Sequence, residues 1–201
     1  LRVEGGRQGR YELRLQYDEL PHFLDGDHRT VFSGAGSSNL ALPDNSVRSG
    51  TTSGMTELEA GLRDETIGWD RKTLSLGLGL QQGSHWRYDL DVRRSTREGD
   101  TTLGGSLLFR SAVLPAAIDY RTDQLDASVG YIRDRWQLEA AYHASTFTND
   151  NRALVWDNPF TSATRADQGR MALPPDNQFH QITVAGSWRT RGSLSVSGRV
   201  A

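Results

Sequence analysis

From Leu74 to Leu80 the chain reads Leu-Ser-Leu-Gly-Leu-Gly-Leu, with leucine at every second position and only serine or glycine between. A two-residue hydrophobic period is the mark of a β-strand with one apolar face. The beat returns in WRYDLDV, where Trp86, Tyr88, Leu90 and Val92 alternate with Arg87, Asp89 and Asp91. It continues in LDASVGY (Leu125–Tyr131), WQLEAAYHA (Trp136–Ala144), ITVAGSW (Ile182–Trp188) and LSVSGRV (Leu194–Val200). Tyr11, Tyr17, Trp86, Tyr88, Tyr131, Trp136, Tyr142 and Trp188 stand at or near the ends of these apolar rows. A membrane-spanning strand carries its interfacial aromatics there. The pattern therefore predicts an all-β, antiparallel transmembrane β-barrel, present here as an arc of about eight strands with long polar loops.

The alternation places strands near 10–17, 73–81, 86–94, 101–109, 123–131, 135–146, 180–189 and 193–200. The segment 101–109 fits least well, because Leu107 and Leu108 fall on opposite faces. Short connections are expected at 82–85, around Asp134 and before Ser193, and long loops at 18–72, 110–122 and 148–179. This set does not keep every long loop at one end of the sheet, so it predicts either a missed strand between 18 and 72 or a wrong boundary. Thr56–Glu65 could be that strand, since Leu58, Ala60 and Leu62 alternate, but Thr56 followed by Glu59 matches a capping box and favours a short helix over 56–64. Residues 1–201 read as one barrel segment, with no linker dividing them.

One face of the predicted strands is charged. Glu12, Arg14, Asp89, Asp91, Asp126, Glu139 and Arg199 are assigned to a water-filled lumen and to contact with whatever occupies it, while the leucines and valines face lipid. The mean hydropathy of -0.59 is compatible with this, since a barrel needs apolar residues only at alternate positions. Apolar stretches are far shorter than the roughly 20 residues of a membrane helix. A net charge of -2, with 23 Lys+Arg scattered among 25 Asp+Glu, argues against nucleic acid. Cysteine is absent, which removes disulfides, thiolate chemistry and CxxCH haem attachment. The chain begins at leucine with no charged-then-apolar leader, so a mature protein or an excised piece is expected.

Candidate chemistry is sparse. His22, His28, His85, His143 and His180 form no metal-binding spacing, and structural or solvent-facing roles are favoured for them. Asp18, Glu19, Asp25 and Asp27 around Gly26 resemble a loose cation loop but lack the EF-hand order of ligands, so a solvated loop is favoured. No GxSxG elbow occurs, and Gly77 and Gly79 lie inside a strand beat rather than between strand and helix. No catalytic or metal-binding residue is assigned, and no enzymatic activity is expected.

The loops add specificity. The ordered elements are Ala117-Ile118-Asp119-Tyr120-Arg121-Thr122-Asp123, then Gly130-Tyr131 with Asp134-Arg135-Trp136, then Ser145-Thr146-Phe147-Thr148-Asn149, then Trp156-Asp157-Asn158-Pro159-Phe160. Leu173-Pro174-Pro175-Asp176-Asn177 follows, and Tyr17–Pro21, Phe32–Gly36, Met55-Thr56 with Leu58, and Asp70-Arg71-Lys72 precede. In this order they resemble the MtrB/PioB family of decahaem-cytochrome-associated outer-membrane barrels, with Ala117 standing where the family pattern has proline.

The resemblance implies a wide barrel in a Gram-negative outer membrane that sheathes a periplasmic-side multihaem c-type cytochrome for extracellular electron transfer. The chain would bind no cofactor itself, haem c being carried by the partner. An extracellular cytochrome is a second implied partner, and outer-membrane lipid surrounds the wall. Family members often carry an N-terminal CxxC, absent here, which suggests an excised segment or a member without it. Asp119, Tyr120, Trp156, Asp157, Asn158, Pro159, Phe160, Pro175, Asp176 and Asn177 are expected to shape the barrel mouth or a docking surface. The competing readings are a diffusion porin or small closed barrel, and a soluble β-sandwich that binds glycans.

Overall fold

A computed structural model describes residues 1–24, 26–107, 109–161, 166–190 and 194–201. In chain order the strands are β1 (Arg2–Arg7), β2 (Tyr11–Phe23), β3 (His28–Thr30), β4 (Asn39–Leu40), β5 (Arg63–Glu65), β6 (Gly68–Gln82) and β7 (Trp86–Leu107). They continue as β8 (Arg110–Arg133), β9 (Trp136–Asn149), β10 (Ala153–Asp157), β11 (Gln168–Ala172), β12 (Asn177–Arg189) and β13 (Ser195–Val200). One antiparallel sheet has the order β1-β2-β6-β7-β8-β9-β12-β13, so each strand pairs with its successor around the wall. The sheet is open, with β1 and β13 as its edges.

The count of eight agrees with the sequence reading through two compensating differences. The segments 86–94 and 101–109 are one strand, β7, and the stretch 110–122 expected as a loop is the first half of β8. Conversely β1, whose RVEGGR carries only a weak beat, was missed. Joining 86–94 to 101–109 also removes the loop-parity conflict. The tight turns 8–10, 83–85 and 134–135, with the end of β12 and the start of β13, lie at one end, and the end of β2, the start of β6, the end of β7, the start of β8, the end of β9 and the start of β12 lie at the other. Two long loops are thereby shortened, 18–72 to 24–67 and 148–179 to 150–176. Leu108, expected to face away from Leu107, and the turn expected before Ser193 lie outside the described residues.

The tight ends follow from backbone chemistry. Gly9 and Gly83 take positive φ (72° and 63°), the region a hairpin turn demands and glycine enters at no steric cost. The expected helix shrinks to a single turn, α1 (Leu58–Gly61); Glu57 is its N-cap and makes no side-chain capping bond, so the Thr56/Glu59 box does not form.

Cross-strand register shows how the alternation sums over the sheet. Leu15, Leu76, Val92, Leu125 and Ala144 form one row, and Leu13, Leu78, Leu90, Ala127, Tyr142 and Ile182 the next. Each strand contributes an apolar run of about seven to nine residues, or roughly 23–30 Å, matching the height of a lipid-facing band. Nothing packs on this band: Leu74, Leu76, Val92, Leu138, Ile182 and Val184 are all exposed. Such a surface excludes the soluble β-sandwich, whose inner face would be covered by a second sheet. Among the described residues, every buried apolar side chain lies within 32–67, 107–118 or 154–173. The packed core is therefore outside the band.

That core is built on the β7–β8 hairpin. Beyond the Trp69/Gly99 and Tyr120/Asn149 pairs, β6 and β9 end while β7 and β8 run on. At 22 residues β7 spans about 70 Å, against the 9–11 residues a membrane strand needs. The small sheet β11-β10-β4 packs on the extension through Phe32, Leu40, Leu114, Ala116, Leu154, Trp156 and Leu173. Met55, Leu107 and Phe160 form a second cluster, flanked by Leu58.

Two outcomes follow. In the full-length protein, Leu76→Arg should lower unfolding stability in lipid by about 2–4 kcal/mol, since the site lies near the middle of the band; denaturant titration of the refolded barrel measures this, and a change near zero would place β6 outside the membrane. The isolated 201-residue chain should not yield a heat-modifiable, protease-resistant monomer in detergent, because β1 and β13 leave unpaired edges.

Candidate functional site

The face opposite the lipid band is polar and small. All seven residues assigned to the lumen share it. Glu12 pairs with Gly79 and thence Asp89 and Ser128; Arg14 with Gly77, Asp91, Asp126 and His143; Gly130 with Glu139, Ala185 and Arg199. Several of these charges have partners, some across strands and some two residues along the same strand. Arg14 reaches Asp91 at 3.3 Å and Glu12 at 3.7 Å, Arg87 holds Asp89 at 2.7 Å, and His143 Nδ1 meets Asp126 Oδ1 at 2.6 Å. Exposed pairs of this kind add little stability. They do leave a surface of low net charge. Gly77, Gly79, Gly130, Ser128, Ala141 and Ala185 sit between them and keep this face flat; a Cβ on Gly77 would meet Asp91 Oδ1 at 2.6 Å and Arg14 Nε at 2.9 Å. The Asp126–His143 pair joins β8 to β9, whereas Arg87 and Asp89 are same-face neighbours two residues apart on β7. Alternation gives the face, but only register brings neighbouring strands together.

All eight aromatic residues lie on the lipid-band face. Trp86 packs against Tyr131 (ring centroids 4.8 Å apart) and Tyr88 (6.2 Å), and Trp136 against Trp188 (6.0 Å), at the tight-turn end. Tyr11 is beside the β1–β2 turn, while Tyr17 and Tyr142 lie toward the loop end, where Tyr142 hydrogen-bonds His180 Nδ1 at 2.8 Å. The acidic-loop idea dissolves in the register: Asp18 pairs with Thr73 on the polar face and Glu19 with Lys72 on the other, and Asp25 is outside the described residues. No group of three or more potential metal ligands converges among the described residues.

The loop motifs hold the extramembrane core together. Trp156 is 2 % exposed, and its indole lies against Gly105 of β7 and Gly169 of β11. A Cβ at either glycine would collide with the ring. Asp157 accepts the Leu42 N–H (2.8 Å) and the Gln168 amide (3.1 Å). Asn158 is fully buried, donating to the Ala166 carbonyl at 2.9 Å and accepting the Phe160 N–H at 2.9 Å. Pro159 gives its carbonyl to Ser49, and Phe160 joins Met55 and Leu107. Asp176 accepts the Asn149 N–H (2.8 Å), and the Asn149 amide donates to the Pro174 carbonyl (2.9 Å), fastening the end of β9 to the start of β12 through Pro175 and Asn177. Tyr120 meets Phe147 edge-on at 5.4 Å. Trp156, Asn158 and Phe160 are thus interior residues of the loop assembly, and Asn158 has no free surface with which to dock a partner.

Two carboxyls here are perturbed. Burial pushes Asp100 upward, only partly offset by the Gly36 N–H, and its Oδ1 has no partner. Burial also raises Asp119, reinforced by Asp150 and Glu98 and opposed by Arg121.

A one-layer sheet with an uncovered apolar band and a charged, small-residue face defines a wall segment of a membrane β-barrel. Residues 1–201 match the outer membrane beta-barrel porin family MtrB/PioB, and the chain belongs to that family. It is 31 % identical over 189 residues to Outer membrane protein MtrB of Shewanella baltica (strain OS185), covering 94 % of this chain and 27 % of that protein. The chain thus spans about a quarter of that relative's length. This places it in the outer membrane, in a porin-like rather than an enzyme family.

Because folding raises the Asp100 pKa, ionisation opposes folding there: its contribution is present at pH below the ordinary carboxylate range and lost as pH rises through the folded value. Asp100→Asn should therefore protect the loops from protease at neutral pH and flatten the pH dependence of that protection. Gly169→Val should displace Trp156 and cost about 1–3 kcal/mol by overpacking; faster proteolysis of 150–176 with an intact barrel is the expected readout.

Proposed function

We propose that this chain is one arc of a barrel that encloses a multihaem c-type cytochrome and lets electrons cross the outer membrane along its haems. The supporting observation is the polar face itself: glycine, serine and alanine interleaved with charges paired across strands or along one strand, uncovered by any of the described residues within the membrane span. Flatness lets a folded protein approach closely. Charge pairing keeps a large desolvated contact from stranding single ions. Hydrocarbon is a poor medium for charged haems, and a closed barrel satisfies its own backbone while offering them a polar interior. Enclosing a whole protein requires more strands than the 16–18 that leave only an aqueous channel, so eight form an arc. Haem belongs to the partner in this reading. The extended β7–β8 hairpin and its packed loops would form part of the rim at the long-loop end, which by barrel habit is extracellular and is where an extracellular cytochrome would meet the wall.

The test uses the full-length protein with photo-crosslinkers at Asp89, Asp126 and Glu139. Haem-staining adducts from these positions, and none from Leu76 or Val184 on the opposite face, are expected. No adduct from the polar face, together with undiminished electron transfer after deletion of the protein, would leave a water-filled porin lined by the same face.

A further inference from the structure

The two ends of the wall differ in charge in a way the cytochrome reading does not use. At the loop end, the lipid-band face passes first into matched charges: Arg94 with Asp123 at 2.6 Å, Arg121 with Asp123 at 3.5 Å, Lys72 with Glu19 at 3.9 Å. Above them Asp70, Glu98 and Asp119 face one another on consecutive strands, and Asp150 adjoins Asp119. At the tight-turn end the sign is reversed. Arg7 and Arg133 lie on the lipid-band face, opposite Tyr11 and Trp136 respectively, while Arg10 and Arg135 occupy the turns. All four are exposed, and among the described residues none has a carboxylate within 4.0 Å. Asp134 is the one acidic residue in the described parts of these turns.

We infer that Arg7, Arg10, Arg133 and Arg135 form a binding rim for anionic phospholipid headgroups. Height is the first argument: Arg133 is level with Trp136 and Trp188, Arg7 is level with Tyr11 and Tyr88, and Arg10 and Arg135 lie in the adjoining turns, so the guanidinium groups stand among aromatic rings that settle at the headgroup level. Chemistry is the second, since a guanidinium offers a planar fork of donors that matches a phosphodiester bidentately. The asymmetry also sets orientation. The end with unpaired arginines occupies the phospholipid leaflet, and the end finishing in carboxylates faces away from it.

The experiment takes the full-length barrel and measures lipid retained after detergent extraction, from vesicles of phosphatidylcholine with or without phosphatidylglycerol. Wild-type protein should retain phosphatidylglycerol over phosphatidylcholine by about tenfold or more, given the attraction of several cationic side chains at a lipid surface. The preference should fall as salt rises. Replacing the four arginines by glutamine should remove it, with folding checked by heat modifiability, whereas K72Q/R94Q/R121Q should leave it unchanged. Equal retention of the two lipids by wild-type protein, or a preference that survives the four substitutions or vanishes with K72Q/R94Q/R121Q, would overturn the assignment. So would loss of cytochrome association or of lipopolysaccharide binding in the four-arginine variant with phosphatidylglycerol retention intact. The wild-type salt series decides the matter even where the variant fails to fold.

Discussion

In hydrocarbon no water is available to satisfy a backbone N–H or carbonyl, and each unmet group costs several kcal/mol. The meander in which every strand pairs with its successor meets that condition across the span, leaving only β1 and β13 with free edges. Once the ladder is imposed, successive side chains must alternate between lipid and interior, so the two-residue beat is a consequence of hydrogen bonding rather than of any packed core. This is why exposed leucines and an uncovered polar face coexist in one stable layer.

Beyond the membrane the constraint changes. Water returns, β6 and β9 stop, and the two-stranded β7–β8 extension would be marginal by itself. It is stabilised by an ordinary hydrophobic core borrowed from the two long loops, centred on Trp156 between Gly105 and Gly169. The family's loop motifs make physical sense in this setting: Asn149, Asp157, Asn158 and Asp176 satisfy backbone groups that a loop cannot pair by itself.

Charge is handled differently in three places. On the interior face charged groups have polar partners across strands or along one strand, which suits contact with a partner or with water. At the loop end like charges accumulate across neighbouring strands, and burial with acidic neighbours raises Asp119. At the tight-turn end arginines stand alone beside the aromatic girdle. Membership of the MtrB/PioB family fixes the setting as the outer membrane.

Alternation is a local property, so the sequence alone determined the β architecture and which of the assigned residues share a face of the sheet. Ordered loop motifs further pointed to the family. Register, by contrast, is non-local. Only the tertiary structure could join 86–94 to 101–109 across the weakly alternating Ser95–Asp100, recover β1 from its pairing with Tyr11–Gln16, and bring His143 to Asp126 on the neighbouring strand. The loop motifs show the same division: their residues were legible as a group, but the burial of Trp156, Asn158 and Phe160 came from segments more than a hundred residues apart closing over one hairpin, where packing and backbone hydrogen bonds outweigh local propensity.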